Sequence, residues 1–125
     1  MKTNNLEKRI INFTVFIIDI IQNVKNNYAG NYYGNLLIRS SGSPALNYGE
    51  ARSAESHKGF VHKMGICLKE IRESNNCLKI INRANLYNGN QDKINKALNE
   101  NNQLISIFVA SIKTSKKNNS NIKNR

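Results

Sequence analysis

Leu6, Ile10, Phe13, Ile17, Ile20 and Val24 recur in steps of four and three, the spacing of one face of an α-helix. The spacing returns in Val61, Met64, Leu68, Ile71 and Leu78, supported by Phe60, Cys67 and Ile81. It returns again in Ile94, Ala97, Leu98, Asn101, Ile105, Phe108 and Ile112. A shorter apolar group, Leu36, Leu37 and Ile38, marks another helix between the first and second of these. At 125 residues the chain can bury one core but not two. The expectation is an all-α, antiparallel up-down four-helix bundle over residues 1–115.

The first helix carries more apolar surface than one core uses. Ile11, Val15, Phe16, Ile18 and Ile21 widen its stripe beyond what a monomeric bundle helix needs. The excess points to a second buried surface, with Phe16 and Ile18 as candidate contacts to another copy of the chain.

Turn and cap residues set the expected boundaries. Asn26-Asn27-Tyr28-Ala29-Gly30-Asn31 supplies turn chemistry, with Gly30 available for positive φ as a helix stop. In the second helix Ser40-Ser41-Gly42-Ser43 precedes Pro44, which lacks an amide hydrogen and crowds the preceding turn, so a kink with tight packing beside it is expected. Ser53 is a candidate N-cap for the third helix, with Glu55 in its first turn where the helix dipole favours an acid. That helix should run to about Asn85. Asn88-Gly89-Asn90 should close it, and Asn90 should cap the fourth. Residues 116–125, with almost nothing to bury, are expected to form a disordered basic tail.

Nineteen Lys and Arg against eight Asp and Glu give a net charge of +11. Such a field attracts phosphate backbones, an anionic membrane surface or an acidic protein, and does not choose among them. The longest apolar stretch, residues 13–21, is broken by Thr14 and Asp19 and falls short of the roughly 20 residues that span a bilayer. It follows Glu7 and has no small-residue cleavage site, unlike a signal peptide. A cytoplasmic protein that neither spans nor binds membrane is expected. Cys67 and Cys77 are ten residues apart on one expected helix, about 15 Å and beyond disulfide reach, so both should be free thiols.

Lys58, His62, Lys69, Arg72, Lys79 and Arg83 share one stripe of the third helix, because steps of 4, 7, 3, 7 and 4 return to nearly the same face. Such a ridge can follow a phosphate backbone, with affinity from counterion release; it can equally be a solvated face paired with Glu50, Glu70 and Glu73. Basic residues without acids beyond Lys113, Lys116 and Lys117 among them, favour nucleic acid, RNA or DNA, read without sequence preference. No aromatic platform for single strands is evident.

Catalytic and metal chemistry lack their parts. Di-metal bundles use Glu-x-x-His on paired helices, and neither His57 nor His62 follows a glutamate by three residues. The acids read instead as ion-pair partners of Arg39, Arg52 or Arg72. No nucleophile elbow precedes any serine, and His62 has no visible orienting partner. No catalytic, metal or cofactor-binding residue is assigned.

The run Arg39-Ser40-Ser41-Gly42-Ser43-Pro44-Ala45-Leu46-Asn47-Tyr48-Gly49-Glu50-Ala51-Arg52-Ser53-Ala54-Glu55-Ser56 is followed by Phe60-Val61-His62-Lys63-Met64 and Leu68-Lys69-Glu70-Ile71-Arg72-Glu73. Together they resemble the four-helix-bundle proteins named for intervening sequences in bacterial 23S ribosomal RNA genes, over residues 10–117. The resemblance implies a small, basic, all-helical protein assembling into a homo-oligomeric, pentameric ring. Relatives are accessory (Avd) proteins of diversity-generating retroelements that bind nucleic acid and a reverse transcriptase. Asn47 and Glu50 match the Asn-x-x-Glu step of that pattern and read as structural; Gly59 departs from it, where a larger polar residue is usual. Two functions stay open: a non-enzymatic accessory factor binding nucleic acid nonspecifically, or a scaffold docking an acidic protein or a reverse transcriptase.

Overall fold

The computed structural model describes the backbone of residues 2–123 and the side chains of residues 5–119. Four helices follow one another: α1 (Lys2–Ile21), α2 (Tyr28–Arg52), α3 (His57–Arg83) and α4 (Gln91–Lys123). Each packs on its neighbours in sequence, and α1 closes on α4. This is the arrangement short connections impose on antiparallel helices. Among the described residues there is no strand, only an isolated antiparallel bridge between Val24 and Tyr87.

The core follows the spacing read from sequence. Leu6, Ile10, Phe13, Ile17 and Ile20 of α1 are buried against Met64, Cys67, Ile71, Leu78 and Ile81 of α3 and Ile94, Ala97, Leu104 and Phe108 of α4. Leu104 takes the central place on α4, while Leu98, Ile105 and Ile112 pack at the margin. Burial of one such side chain contributes roughly 1.5–3 kcal/mol. Helix α2 contributes fewer large residues, Leu37 and Tyr48. At its middle Ser40 and Ser41 are buried, and the Thr14 hydroxyl of α1 lies 2.8 Å from the Ser41 carbonyl. Small side chains there let α1 approach the α2 backbone. Pro44 lies inside this one continuous helix.

Several helix ends differ from expectation. Gly30 is not a stop. It sits in the first turn of α2, its N–H donating to the Asn27 side chain at 2.8 Å, and no glycine among the described residues has positive φ. Glycine is required there because a Cβ would stand 1.9 Å from the Lys25 carbonyl oxygen. Ser53 is the C-cap of α2, its N–H bonded to the Gly49 carbonyl at 3.1 Å. The α3 N-cap is Ser56, which accepts from Gly59 N at 3.0 Å, so Glu55 precedes the helix rather than standing in its first turn.

Helix α3 ends two residues before Asn85, whose φ of 56° turns the chain. Leu86 N–H bonds the Ile81 carbonyl at 3.0 Å and Asn85 N–H the Asn82 carbonyl at 3.3 Å, a Schellman ending with Leu86 as its buried apolar residue. The chain then crosses to the α1–α2 connection, where Lys25 N–H meets the Leu86 carbonyl and Asn88 N–H the Asn23 carbonyl, each at 2.7 Å. Asn90 caps α4 as expected, accepting from Asp92 N at 2.8 Å. Helix α4 continues to Lys123, through most of the segment expected as a disordered tail; residues 124 and 125 lie outside the described residues. The segment beyond Ile112 has no Gly or Pro, and once core packing has nucleated a helix, each added residue costs little.

Candidate nucleic-acid interface

Lys58, His62, Lys69, Arg72, Lys79 and Arg83 are all exposed on α3. At 3.6 residues per turn they occupy about 100° of arc and extend about 37 Å along the axis. The opposite side of α3 carries Cys67, Ser74 and Ile81 into the core, which is why the ridge faces outward.

The acids that were its alternative partners are engaged elsewhere. Arg39 of α2 forks onto Glu70, at 3.1 Å, and Glu73. Lys63 holds Glu50 at 2.8 Å, Arg9 holds Glu100 at 2.7 Å, and Lys93 holds Asp19 at 2.6 Å. Arg52 approaches Glu7 at 3.5 Å. Six of the eight acids are thus committed, and none of the six ridge residues forms an ion pair among the described residues. Exposed pairs of this kind contribute little stability, about 0–1 kcal/mol each. Their consequence is the distribution of charge: the acids of α3 are turned toward α2, and its outer face is left positive. The Arg9 and Lys93 cations are held further in their charged form chiefly by hydrogen bonds to Glu100 and Asp19, and that of Arg39 chiefly by the charge of Glu70.

Lys116 and Lys117 are exposed on the last turns of α4. Ser115 Oγ lies 3.3 Å from His57 Nδ1, so these lysines stand at the end of the bundle where the ridge begins. Gly65 lies within the ridge, and a Cβ there would meet no atom within 4 Å.

Between α3 and α4 a groove of about 380 Å³ is lined by Arg72, Asn75, Asn76, Lys79, Asn102 and Ile105. Beneath it runs a polar layer. Asn101, fully buried, donates to the Ile71 carbonyl at 3.2 Å and to Ser74 Oγ at 2.8 Å, and accepts from Asn75 Nδ2 at 2.8 Å. Asn75 Nδ2 also donates to Asn102 Oδ1 at 3.0 Å. The groove and its amides were not singled out from sequence. The signal was there: the α3 seam steps seven residues from Ile71 to Leu78, and Ser74-Asn75 occupy the apolar place between them.

The two interface candidates on α1 do not share a face. Ile18 is 46% exposed, beside Ile11 at 46% and Val15 at 60%. Phe16 is half-buried against the core and lines a crevice with Arg9, Asn12, Phe13, Lys96 and Glu100. Burial pushes the Cys67 thiol up to about 11 and raises that of Cys77, so both stay protonated and poorly nucleophilic near neutrality. Among the described residues no three His, Cys, Asp or Glu side chains gather into a metal site, and no helix is long and apolar enough to cross a membrane.

The fold is that of an all-helical protein of four antiparallel helices with one strongly basic outer face. A solved structure shares it: a protein of unknown function from the S23 ribosomal protein family of Bacteroides thetaiotaomicron VPI-5482 aligns over 90% of this chain and 99% of its own, with a TM-score of 0.75 and 23% identity. No protein-family model and no curated protein matches the chain.

Proposed function

We propose that this protein is a non-enzymatic accessory factor of the cytoplasm that binds nucleic acid through the outer face of α3, largely without regard to sequence. One observation carries the reading: six basic side chains line that face with no acidic partner among the described residues, while Glu50, Glu70 and Glu73 are held by Lys63 and Arg39. A row of unpaired cations about 37 Å long matches a polyanion rather than a single small anion. Affinity for unrelated duplexes should fall steeply and linearly on a log–log plot against salt. A parent protein that ignores nucleic acid at low salt would instead favour a scaffold docking an acidic protein or a reverse transcriptase.

The chain works, in this reading, as a homo-oligomer, a five-subunit ring in which the ridges multiply. Ile11, Val15 and Ile18 on α1 and Ile38 and Leu46 on α2 are exposed, more large apolar surface than a lone bundle needs. Pro44 bends α2, since Ser40 loses the amide its carbonyl would otherwise bond, and so shapes the face α2 offers a neighbouring subunit. Light scattering should give a mass near five chains. Ile18→Asp should dissociate the assembly, because an unpaired carboxylate is costly to bury; a parent at the mass of one chain would end the ring.

A further inference from the structure

Asn75 is 5% exposed, and the hydrogen bonds beneath its carboxamide fix which way that group points. The Ile71 carbonyl can only accept, so the atom of Asn101 that meets it at 3.2 Å is the NH₂. The oxygen of Asn101 must then receive the Asn75 NH₂ at 2.8 Å. That leaves Asn75 Oδ1 with no donor among the described residues, on the wall of the groove lined by Arg72, Asn76, Lys79 and Asn102. It is not sealed off, since the Tyr87 hydroxyl is the one described side-chain polar atom both fully buried and unpartnered. Next to it, Asn102 Oδ1 is occupied by the Asn75 NH₂ at 3.0 Å, while the NH₂ of Asn102 donates to no described residue.

The groove thus sets the Asn75 acceptor and the Asn102 donor side by side, with the exposed Asn76 amide and two cations unpaired among the described residues on its rim. A hydroxyl is the complementary group, because it gives one hydrogen and accepts another. It must lie close to a phosphate for Arg72 and Lys79 to be used at the same time. A ribose 2′-hydroxyl, next to the 3′-phosphate of its own nucleotide, meets both conditions; deoxyribose has no such group. We propose that this groove receives the 2′-hydroxyl of an RNA strand whose phosphates lie on Arg72 and Lys79, so that the basic face prefers RNA to DNA. The inference rests on the nucleic-acid reading of α3 and adds the sugar to it.

Fluorescence anisotropy with one sequence as single-stranded RNA, DNA and 2′-O-methyl RNA tests it without altering the protein. RNA should bind up to about tenfold tighter than DNA, the net effect of exchanging groove water for one well-placed hydroxyl. The 2′-O-methyl strand, which lacks the donor hydrogen, should fall to the DNA level. Asn102→Ala, at an exposed position, should narrow the RNA–DNA difference and leave the salt dependence unchanged. Equal binding of RNA and DNA would overturn the groove assignment and leave the ridge standing. If none of the strands bound, both would fall and an acidic protein would be the better partner. Displacement of RNA by an equal concentration of a ribonucleoside monophosphate would also overturn it, because the groove would then be a mononucleotide site.

Discussion

Joint replacement of Lys69, Arg72 and Lys79 by glutamine should weaken binding to unrelated nucleic acids by about two orders of magnitude at low salt. It should also flatten the slope of log affinity against log salt by about 2–3. Each cation that meets a phosphate releases a counterion, and these three are exposed and unpaired on the outer face of α3. The loss should be similar for every sequence, since a contact to phosphate carries no base information. The fold should survive, because none of the three lies in the core or holds an acid. Circular dichroism gives that control. A folded triple variant with parental affinity would make the ridge a merely solvated face.

Gly30→Ala should have the largest effect on stability of any single methyl added to this chain, lowering it by roughly 3 kcal/mol and the melting temperature by about 10 °C. The added Cβ would stand 1.9 Å from the Lys25 carbonyl oxygen and 2.9 Å from its carbon. That carbonyl cannot easily retreat, because the Lys25 N–H is bonded to the Leu86 carbonyl across the bridge between the two loops. Gly65→Ala is the contrasting case. With open space around its Cβ, helix propensity alone should raise stability by about 0.5–1 kcal/mol. Thermal denaturation of the two variants distinguishes a glycine required by contact from one tolerated in a helix.

The helices and their seams were legible because α-helical periodicity is a property of the sequence itself: Ile10, Phe13, Ile17, Met64, Ile71, Leu78, Ile94 and Phe108 were placed by spacing and are buried. Capping was less legible, since Ser53 and Ser56 have the same chemistry and only the backbone bond from Ser53 to Gly49 decides that the first belongs to α2. Gly30 looked like a turn residue because glycine tolerates positive φ. Its actual reason is a carbonyl five residues earlier crossing the start of α2, held there by the bond from Lys25 N–H to Leu86 across the two connections, which no local pattern encodes. Asn85 could have been found, because an asparagine followed by apolar Leu86 is the sequence pattern of the observed ending.

The ridge was legible as a stripe but not as an unpaired one. Whether Glu70 and Glu73 neutralise Arg72 or turn away to Arg39 depends on where α2 packs. The amides of the groove escaped notice because Asn75, Asn76 and Asn102 carry no charge and match no motif; the orientation of Asn75 comes from Asn101 reaching across from α4, and that of Asn102 from Asn75 in turn.

Lysine acetylation followed by mass spectrometry, with and without bound nucleic acid, reads the proposed face directly. Protection is expected at Lys58, Lys69 and Lys79, with Lys8 on α1 and Lys96 on α4, both exposed, modified equally in the two states. Protection at Lys8 and Lys96 with the α3 lysines still reactive would contradict the assignment of nucleic-acid binding to the outer face of α3.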